Sequence, residues 1–236
     1  MDNVIIEVKK LRKDYHVGEV VVHALRGVDL QIREGEFVAI MGMSGSGKST
    51  MLNILGCLDQ PTGGDYFLDG TNMNSMNRDE LARLRNRKLG FVFQAYNLLP
   101  MLTAEENAML PLLFDGQAPG RVYVHELFRN LGIEDRMHHL PANMSGGQQQ
   151  RVAVARALVN EPAILLADEP TGNLDSKTSD EIMGIFQDLN DEGKTVVLIT
   201  HEHDIAEYAR RVVAFRDGRV VSDEVVTNRR SAKGAR

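Results

Sequence analysis

The sequence is poor in cysteine and has no long apolar run, and each absence excludes a class of protein. Cys57 is the single cysteine among 236 residues, so neither an intrachain disulfide nor a four-cysteine metal site can form. No apolar stretch approaches the roughly 18 residues that cross a bilayer, and the first residues lack the basic and apolar segments of a secretory leader. We therefore expect a soluble, cytoplasmic chain, whose role at a membrane would require a membrane-embedded partner.

An excess of basic residues is also missing. Lysine and arginine together number 27 against 33 aspartates and glutamates, which gives a formal net charge of −6. Proteins that bind nucleic acid usually carry a basic patch or have a high pI, so nucleic acid is not an expected partner. The length suits one large α/β domain, or such a core with a smaller inserted lobe.

What the sequence does contain is a glycine-rich loop that matches the template G-x-x-x-x-G-K-[ST]. The loop lies between an apolar, strand-like run (Phe37–Met41) and a helix-like segment (Met51–Leu55). Glycines let backbone N–H groups turn towards phosphate oxygens, and the helix N-terminus adds its dipole. Lys48 would place a charge on the β- and γ-phosphates, and the Ser49 hydroxyl would hold Mg²⁺. The alternative is a glycine loop without a nucleotide. The glycine loop consists of Gly42, Met43, Ser44, Gly45, Ser46, Gly47, Lys48, Ser49 and Thr50.

The remaining patterns predict an α/β core interrupted by helices. Alternation and turn signals indicate strands at 4–8, 20–24, 28–32, 37–41, 65–68, 89–93, 163–167 and 195–200, and a hairpin of 212–215 with 219–222. Helices are predicted at 79–87, 104–113, 122–131 and 145–160, and around an apolar stripe that begins at Ile182. Loops are predicted at 115–120 and 138–143.

These elements predict how the single domain of residues 1–236 is divided. The α/β core with its β subdomain takes residues 1–94 and 161–224, and a helical lobe takes 95–160 because no convincing strand lies there. Residues 225–236 form a polar, basic tail, which we expect to be disordered and solvated; anchoring to anionic lipid headgroups is the alternative.

Two further strands end in residues suited to phosphate chemistry. Asp168 follows one buried strand and could hold Mg²⁺, and the adjacent Glu169 could polarise an attacking water. His201 follows another strand and could bond the γ-phosphate. Parallel strands present ligands at their carboxyl ends, so these side chains should meet beside the glycine loop. His201 as a mere helix cap is the alternative, and a metal site of His201 with His203 is less well specified.

A second helix start carries the features of an anion site. Ser145 is a good N-cap, and Gly146 and Gly147 expose the N–H groups of the first turn before Gln148. Plain helix capping is the alternative here. The sequence around Tyr15, taken alone, predicts a surface or half-buried tyrosine.

Taken together and in order, these motifs resemble the full motif set of ABC transporter ATPase subunits. The motifs are the glycine loop, Gln94, Ser145 to Gln148, Asp168 with Glu169, Asn173 to Asp175, and His201. The resemblance covers roughly residues 5–222. The local sequence around Gln94 and Pro170 is most similar to the branch of macrolide-export, lipoprotein-release and FtsE-type ATPases. Met144 replaces the usual leucine, a swap of similar volume, and Met43 replaces a common proline.

The resemblance implies a fold, cofactors and an assembly. The fold would be a P-loop NTPase (RecA-like) core with a mostly parallel sheet, an N-terminal antiparallel β subdomain and an inserted helical subdomain. ATP and Mg²⁺ would lie between the glycine loop of one copy and the Ser145 to Gln148 helix start of a second copy, in a head-to-tail dimer.

The resemblance also implies roles for single residues. Tyr15 would stack on adenine, Gln94 would sense Mg²⁺ and the attacking water, and Asp175 would report across the dimer. The segment Tyr96–Glu106 would receive a membrane permease, which would hold this chain at the cytoplasmic face of the inner membrane.

The function implied is an ATPase that energises a separate permease, for export or extraction of a lipoprotein, peptide or macrolide-like substrate by mechanotransmission. An ATPase that regulates a periplasmic or cell-division process without transport is the alternative. A cytosolic ABC protein of DNA repair or translation is disfavoured, since the chain lacks a second ATPase unit and a basic surface.

Overall fold

The computed structural model describes residues 3–114 and 121–232. In chain order the strands are β1 (Val4–Val17), β2 (Val20–Arg33), β3 (Phe37–Met41), β4 (Gly63–Leu68), β5 (Thr71–Asn72), β6 (Leu89–Phe93), β7 (Ile164–Asp168), β8 (Thr195–Thr200), β9 (Arg211–Arg216) and β10 (Arg219–Val225). The α-helices are α1 (Lys48–Leu55), α2 (Arg78–Lys88), α3 (Ala104–Met109), α4 (Arg121–Asn130), α5 (Gly146–Leu158), α6 (Ser176–Asp191) and α7 (His203–Ala206).

Within the described residues the strands form two sheets. One has the order β2-β1-β4-β5 and is antiparallel throughout. The other has the order β10-β9-β3-β8-β7-β6, in which every neighbouring pair is parallel except β10 with β9. The predicted α/β class, with a mostly parallel sheet and an antiparallel β subdomain, is confirmed.

The two sheets bury α1 between them. Val38 and Ile40 of β3 point towards α1 and belong to the same apolar cluster as Met51, Leu52 and residues of β1. The alternate residues of β3 belong to a second cluster on the opposite face of the sheet, with α5, α6 and α7. Both faces of β3 are therefore covered, which explains why the strand is apolar without alternation. This burial fixes the end of β3, from which the glycine loop starts.

The antiparallel sheet corrects two strand predictions. The predicted strands at 20–24 and 28–32 are one continuous strand, β2, and β1 extends to Val17 instead of ending at Val8. The register of β1 with β2 shifts between Val8 and Leu11 and again between Lys13 and Asp14. Such bulges interrupt the two-residue alternation, so the sequence pattern ends before the strand does.

The helical part of the chain agrees with its prediction in outline. α3 continues into a 3₁₀ turn at Leu110–Phe114, and a further 3₁₀ turn at Pro141–Asn143 lies within the predicted loop at 138–143. The predicted loop at 115–120 lies outside the described residues. Apolar residues of α5 share one cluster with residues of β7 and β8, so the predicted lobe has no core separate from the sheet.

The prediction of a disordered, solvated tail is wrong for residues 229–232, which pack against the fold. Val225 is the last residue of β10, and Ala232 is buried. The Arg229 Nε donates to the Tyr208 carbonyl at 2.7 Å, and an Arg230 guanidinium nitrogen lies 3.1 Å from Asp180 Oδ1. A basic composition suggested solvent exposure, but these guanidinium groups have partners within the fold. The last four residues lie outside the described part of the chain.

None of the helices within the described residues has the length and apolar character that crossing a bilayer requires.

Candidate functional site

The glycine loop (Gly42–Thr50) leaves the buried strand β3 and ends in the first turns of α1. A Cβ on Gly42 would lie 2.4 Å from the Phe215 carbonyl oxygen, and one on Gly47 would lie 2.6 Å from the Ala24 carbonyl oxygen. Gly47 also has a φ of +104°, which disfavours any side chain. The loop therefore needs glycine at these positions, and its curvature leaves a cradle of backbone N–H groups.

Lys48 lies inside this cradle. Its Nζ donates to the carbonyl oxygens of Gly42 and Met43, at 2.6 and 2.9 Å, and the residue is buried. Burial lowers the pKa of the Lys48 amine, while the negative charges of Glu169 and Asp168 act in the opposite direction. The Ser46 hydroxyl is buried and has no hydrogen-bond partner among the described residues. A buried cation and an unpaired hydroxyl are the donors that an anionic ligand would satisfy.

Three strand ends meet beside the loop, as the sequence predicts. β3, β8 and β7 are neighbours in the sheet, with Met41 opposite Thr200 and Asp168 opposite Ile199. Glu169 and His201, which follow β7 and β8, are therefore brought to the same sheet edge as the glycine loop. The shared edge explains why residues far apart in the chain can act on one ligand.

The two carboxylates differ in their surroundings. Burial raises the pKa of Asp168, the neighbouring charge of Glu169 adds to this rise, and Lys48 opposes it. Glu169 has a φ of +45°, and its N–H donates to the Ile199 carbonyl at 2.9 Å. Its Oε1 lies 2.8 Å from His201 Nδ1, a hydrogen bond in which a protonated Nδ1 donates. The strained backbone and the histidine together fix the direction of the Glu169 carboxylate.

An open cleft of about 760 Å³ lies over these groups. It is lined by Ser44, Gly45 and Gly47 to Thr50 of the loop, by Glu169 and His201, and by Asp217 with Gly218. Sequence reasoning identified the last two only as a hairpin turn. The Gly218 N–H donates to the Ser46 carbonyl at 3.0 Å, so the turn between β9 and β10 supports the glycine loop from outside.

Tyr15 lies on β1 opposite Val22 of β2, and Val22 lines the cleft. The Tyr15 hydroxyl donates to Asp59 Oδ2 at 2.9 Å. Burial raises the pKa of the Tyr15 hydroxyl, the hydrogen bond to Asp59 adds to this rise, and a hydrogen bond with Thr50 of the loop lowers it. The structure thus brings the Tyr15 hydroxyl next to Thr50 of the glycine loop, and the stacking of Tyr15 on adenine stays a prediction.

Gln94 follows β6, whose last residue, Phe93, pairs with Asp168. Its carbonyl accepts a hydrogen bond from the Asn173 side chain at 2.9 Å. A Cβ on Gly172 would lie 2.5 Å from Gln94 Nε2, so the Gln94 side chain packs against the turn that follows Glu169. Gln94 therefore lies next to the strand end that carries Asp168.

The second predicted anion site stands apart from the cleft. Ser145 caps α5, since its hydroxyl accepts from the Gln148 N–H at 3.3 Å and the Gln148 side chain accepts from the Ser145 N–H at 2.9 Å. Asp175 likewise caps α6, and its hydrogen bonds with Thr178 lower its pKa. Within the described residues, none of Ser145 to Gln148 lines the cleft of the same chain.

Sequence reasoning missed one buried residue of α5. Gln150 is fully buried, and its Nε2 donates to the Pro170 carbonyl at 2.7 Å, directly after Glu169 in the chain. Its Oε1 has no partner among the described residues. In the sequence Gln150 is one of three consecutive glutamines, and nothing there distinguishes the buried one.

Comparison with known proteins gives concordant results. The sequence model of the family described as "ABC transporter" matches residues 25–172. The chain is 51% identical over 221 residues to the macrolide export ATP-binding/permease protein MacB of Marinobacter nauticus, which covers 93% of this chain and 34% of that protein. The chain therefore spans only about a third of the length of such relatives. It is also 51% identical over 226 residues to MJ0796 of Methanocaldococcus jannaschii, an uncharacterized ABC transporter ATP-binding protein, over 93% of this chain and 96% of that one.

Solved structures agree with the sequence relatives. The dimeric MJ0796 cassette superimposes with a TM-score of 0.87 at 49% identity, over 94% of this chain and 98% of that one. A second dimeric structure of MJ0796, in a post-hydrolysis state bound to ADP and Pi, has a TM-score of 0.85 at 47% identity, with the same coverage. The resemblance noted from the motifs is confirmed. The chain belongs to the ABC transporter family, as an ATP-binding and ATP-hydrolysing cassette.

Proposed function

We propose that this cassette energises a membrane permease by binding and hydrolysing ATP between two copies of itself. The observation that carries the proposal is the convergence at one sheet edge of the glycine loop, Lys48, Asp168, Glu169 and His201. Such a site grips a triphosphate at one end and presents a carboxylate for water at the other.

Nucleotide binding rests on the loop and on Tyr15. The loop N–H groups from Gly42 to Thr50, and the start of α1, bind phosphate oxygens, and Lys48 exchanges its two carbonyl partners for the β- and γ-phosphates. The exposed part of the Tyr15 ring stacks on adenine. Burial of Lys48 strengthens its attraction for phosphate because solvent screens the charge less there.

The donor set near the loop fits Mg²⁺. Ser49 is exposed at the start of α1, and Asp168 and Gln94 stand at adjacent strand ends. Among the described residues no group of three or more acidic, histidine or cysteine side chains could hold a metal alone. Mg²⁺ suits such a sparse set, since it usually takes one or two protein oxygens together with substrate phosphates. When bound it neutralises charge on the phosphates.

Hydrolysis rests on Glu169. Its carboxylate polarises the attacking water. His201 orients this carboxylate through the 2.8 Å hydrogen bond between His201 Nδ1 and Glu169 Oε1. The second ring nitrogen of His201 would donate to the γ-phosphate, which requires that both ring nitrogens carry a proton. Asp168 and Glu169 are adjacent, so the residue that would hold Mg²⁺ and the residue that would polarise the water lie at the end of the same strand.

The position of Ser145 to Gln148 outside the cleft of their own chain supports a head-to-tail dimer. In a head-to-tail pair this helix start covers the ATP bound by the glycine loop of the second copy, and Asp175 reports across the interface. The relative MJ0796 forms a dimeric cassette, which supports this arrangement. The N–H groups of a capped helix start would then act on the terminal phosphate of the neighbouring site.

A second cleft provides the contact for the permease. It has a volume of about 610 Å³ and lies between α2, β6, the 3₁₀ turn at Leu110–Phe114 and α5. Phe114 is 81% exposed at its rim, and Met101 of the predicted contact segment Tyr96–Glu106 is 82% exposed. These exposed side chains lie in or next to the segment predicted to contact the permease, which is why we place the permease contact on this side of the chain. Through this contact the chain would sit at the inner face of the membrane.

The same region is tied to the second helix start. Arg156 of α5 donates to the carbonyl oxygens of Tyr96 and Asn97, which both have positive φ. A Cβ on Gly146 would lie 2.8 Å from the Tyr96 hydroxyl oxygen, so Tyr96 touches the start of α5. Movement of the permease would therefore reach the helix start that covers the neighbour's ATP.

The relatives named for macrolide export support export or extraction of a macrolide-like, peptide or lipoprotein substrate. The test is purification of the chain from native membranes with its integral partner, followed by reconstitution in vesicles. ATP-dependent movement of substrate is expected. ATP turnover that changes the partner without movement of substrate would favour a regulatory role instead.

The Lys48→Ala variant tests the nucleotide site itself. ATP binding by calorimetry should weaken strongly, because the loop would lose its buried cation. Lys9→Ala removes an exposed lysine of β1, which pairs with Glu7, and serves as the matched control. Unchanged ATP affinity in Lys48→Ala would contradict the assignment of the loop.

A further inference from the structure

Tyr15 is anchored at its hydroxyl to a residue outside its own strand. The hydroxyl donates to Asp59 Oδ2 at 2.9 Å, while the residue keeps 36% of its surface exposed. An exposed tyrosine without such an anchor would populate several rotamers. The hydrogen bond therefore selects one direction for the ring.

Lys13 completes the arrangement from one face of the ring. Its residue is 8% exposed, and its Nζ lies 2.6 Å from Asp59 Oδ1, 2.7 Å from the Gln60 carbonyl oxygen and 4.9 Å from the centroid of the Tyr15 ring. A cation at this distance is attracted by the electrons of the ring face. Lys13 covers one side of the Tyr15 ring, so a ligand could stack only on the other side.

The anchor is attached to the helix that starts in the glycine loop. Asp59 lies four residues beyond the end of α1, and its N–H donates to the Asn53 carbonyl of that helix at 3.2 Å. The Thr62 hydroxyl accepts from the Asp14 N–H at 3.2 Å, which ties the same segment to β1. One short helix thus joins the phosphate cradle to the platform that carries Tyr15.

The charges of this cluster are matched. Burial raises the pKa of Asp59, but the hydrogen bonds from Lys13 and Tyr15 outweigh this effect and hold the pKa below its usual value. Asp59 is therefore an anion that accepts from three donors, the Lys13 amine, the Tyr15 hydroxyl and the Gln60 N–H. A charged acceptor makes a stronger hydrogen bond than a neutral one, so the ring is held more firmly.

We propose that Asp59 and Lys13 are positioning residues for Tyr15, and that they set the affinity of the site for a purine base independently of its affinity for phosphate. The inference rests on the proposed stacking of Tyr15 on adenine. Asp59 fixes the ring direction, and Lys13 fixes which face is free. Neither Lys13 nor Asp59 lines the cleft over the glycine loop.

Binding of ADP and of inorganic pyrophosphate, each measured by calorimetry, separates the base from the phosphates. Asp59→Ala and Lys13→Met should each lower ADP affinity by about 5- to 20-fold, part of what one base–aromatic stack supplies. Pyrophosphate affinity should stay within about 2-fold, because the loop is unchanged. Asp65→Ala removes an exposed carboxylate from the same antiparallel sheet and is the matched control.

Rescue distinguishes positioning from general packing. Asp59→Asn keeps an oxygen acceptor for the Tyr15 hydroxyl and should recover part of the ADP affinity that Asp59→Ala loses. If Asp59→Ala fails to fold, Lys13→Met and Asp59→Asn carry the same test. Equal loss of ADP and pyrophosphate, or loss of neither, would overturn the proposal.

The Tyr15→Ala variant separates this inference from the proposed function. Loss of ADP affinity in Tyr15→Ala, with none in Asp59→Ala and Lys13→Met, overturns the positioning role alone. Unchanged ADP affinity in Tyr15→Ala removes the stacking role of Tyr15 and the inference with it. Loss in all three variants, with pyrophosphate binding retained, supports both.

Discussion

Glu169 combines a left-handed backbone with a hydrogen bond to His201, and both features restrict where its carboxylate can point. A non-glycine residue at φ +45° costs energy, which the surrounding structure must supply. Such strain commonly accompanies a functional carboxylate. The residue is therefore the one for which a conservative change is most informative.

We predict that Glu169→Gln retains ATP binding but lowers turnover by about 10²- to 10⁴-fold, the usual contribution of a positioned base. The amide has the same shape but cannot accept the proton of the attacking water. Turnover by phosphate release and binding by calorimetry are measured on the same sample. Glu192→Gln, at the exposed end of α6, is the control, and turnover near that of the control in Glu169→Gln would remove Glu169 from this role.

Asp168 permits a prediction about stability and pH. Burial and then the charge of Glu169 raise its folded-state pKa above the unfolded value, so its ionised form costs stability once the pH exceeds the unfolded pKa. Asp168→Asn should therefore raise the thermal midpoint of the nucleotide-free chain at pH 7, by about 2–4 °C for each kcal/mol gained. It should also abolish Mg²⁺-dependent hydrolysis.

The pH dependence supplies the check on this explanation. As pH falls through the folded-state pKa, Asp168 becomes protonated and the stability difference between Asp168→Asn and the unmodified chain should shrink. A midpoint that is lower in Asp168→Asn at pH 7 would show that Lys48 stabilises the charge more than burial and Glu169 destabilise it.

Residues of the glycine loop could be predicted because each type has one physical task at a fixed spacing. Asp59 could not, since its partners Lys13 and Tyr15 lie on β1 and no spacing in the sequence brings Asp59 to them. Gln150 was missed for a similar reason, because burial decides its role. Local patterns thus reveal groups that act on the ligand, but they leave out the groups that hold those side chains in place.

At the scale of elements, the structure differs from prediction where tertiary contacts override local pattern. β1 and β2 continue through bulges that break alternation, and residues 229–232 pack on α6 although their composition is polar. The buried, parallel strands β3, β7 and β8 were predicted well because both of their faces are apolar. Amphipathic or irregular elements need a partner surface that the sequence does not reveal.

The C-terminal segment depends on Gln187 of α6. Its Nε2 donates to the carbonyl oxygens of Tyr208 and Arg230, at 3.1 and 2.8 Å, and its Oε1 accepts from the Ala232 N–H at 3.1 Å. We predict that Gln187→Ala lowers the free energy of unfolding by about 2–3 kcal/mol, because it leaves buried polar groups unpaired. Urea unfolding measures this loss.

Trypsin provides a local readout of the same variant. Gln187→Ala should be cleaved faster after Arg229 and Arg230, whose segment it releases. Lys177→Ala, on an exposed turn of α6, is the control. Equal stability and equal cleavage in Gln187→Ala and the control would show that other contacts hold the segment.

At the scale of the whole molecule, the prediction concerns assembly. In a Glu169→Gln background ATP should produce dimers, and an added Ser145→Arg should prevent them, because a long cation would replace the small cap at the proposed interface. Light scattering with and without ATP measures the mass. Ser75→Arg, on the exposed turn after β5, is the control. Dimers formed equally well by the Ser145→Arg chain would contradict the head-to-tail arrangement.

The hydrogen bond from Gln150 to the Pro170 carbonyl has a consequence for timing. α5 starts at the residues that would close the neighbour's pocket, and four positions further along it grips the peptide unit beside the chain's own Glu169. A tilt of α5 would therefore displace groups at both nucleotide sites. In the proposed dimer, hydrolysis at one site should therefore change the rate of hydrolysis at the other.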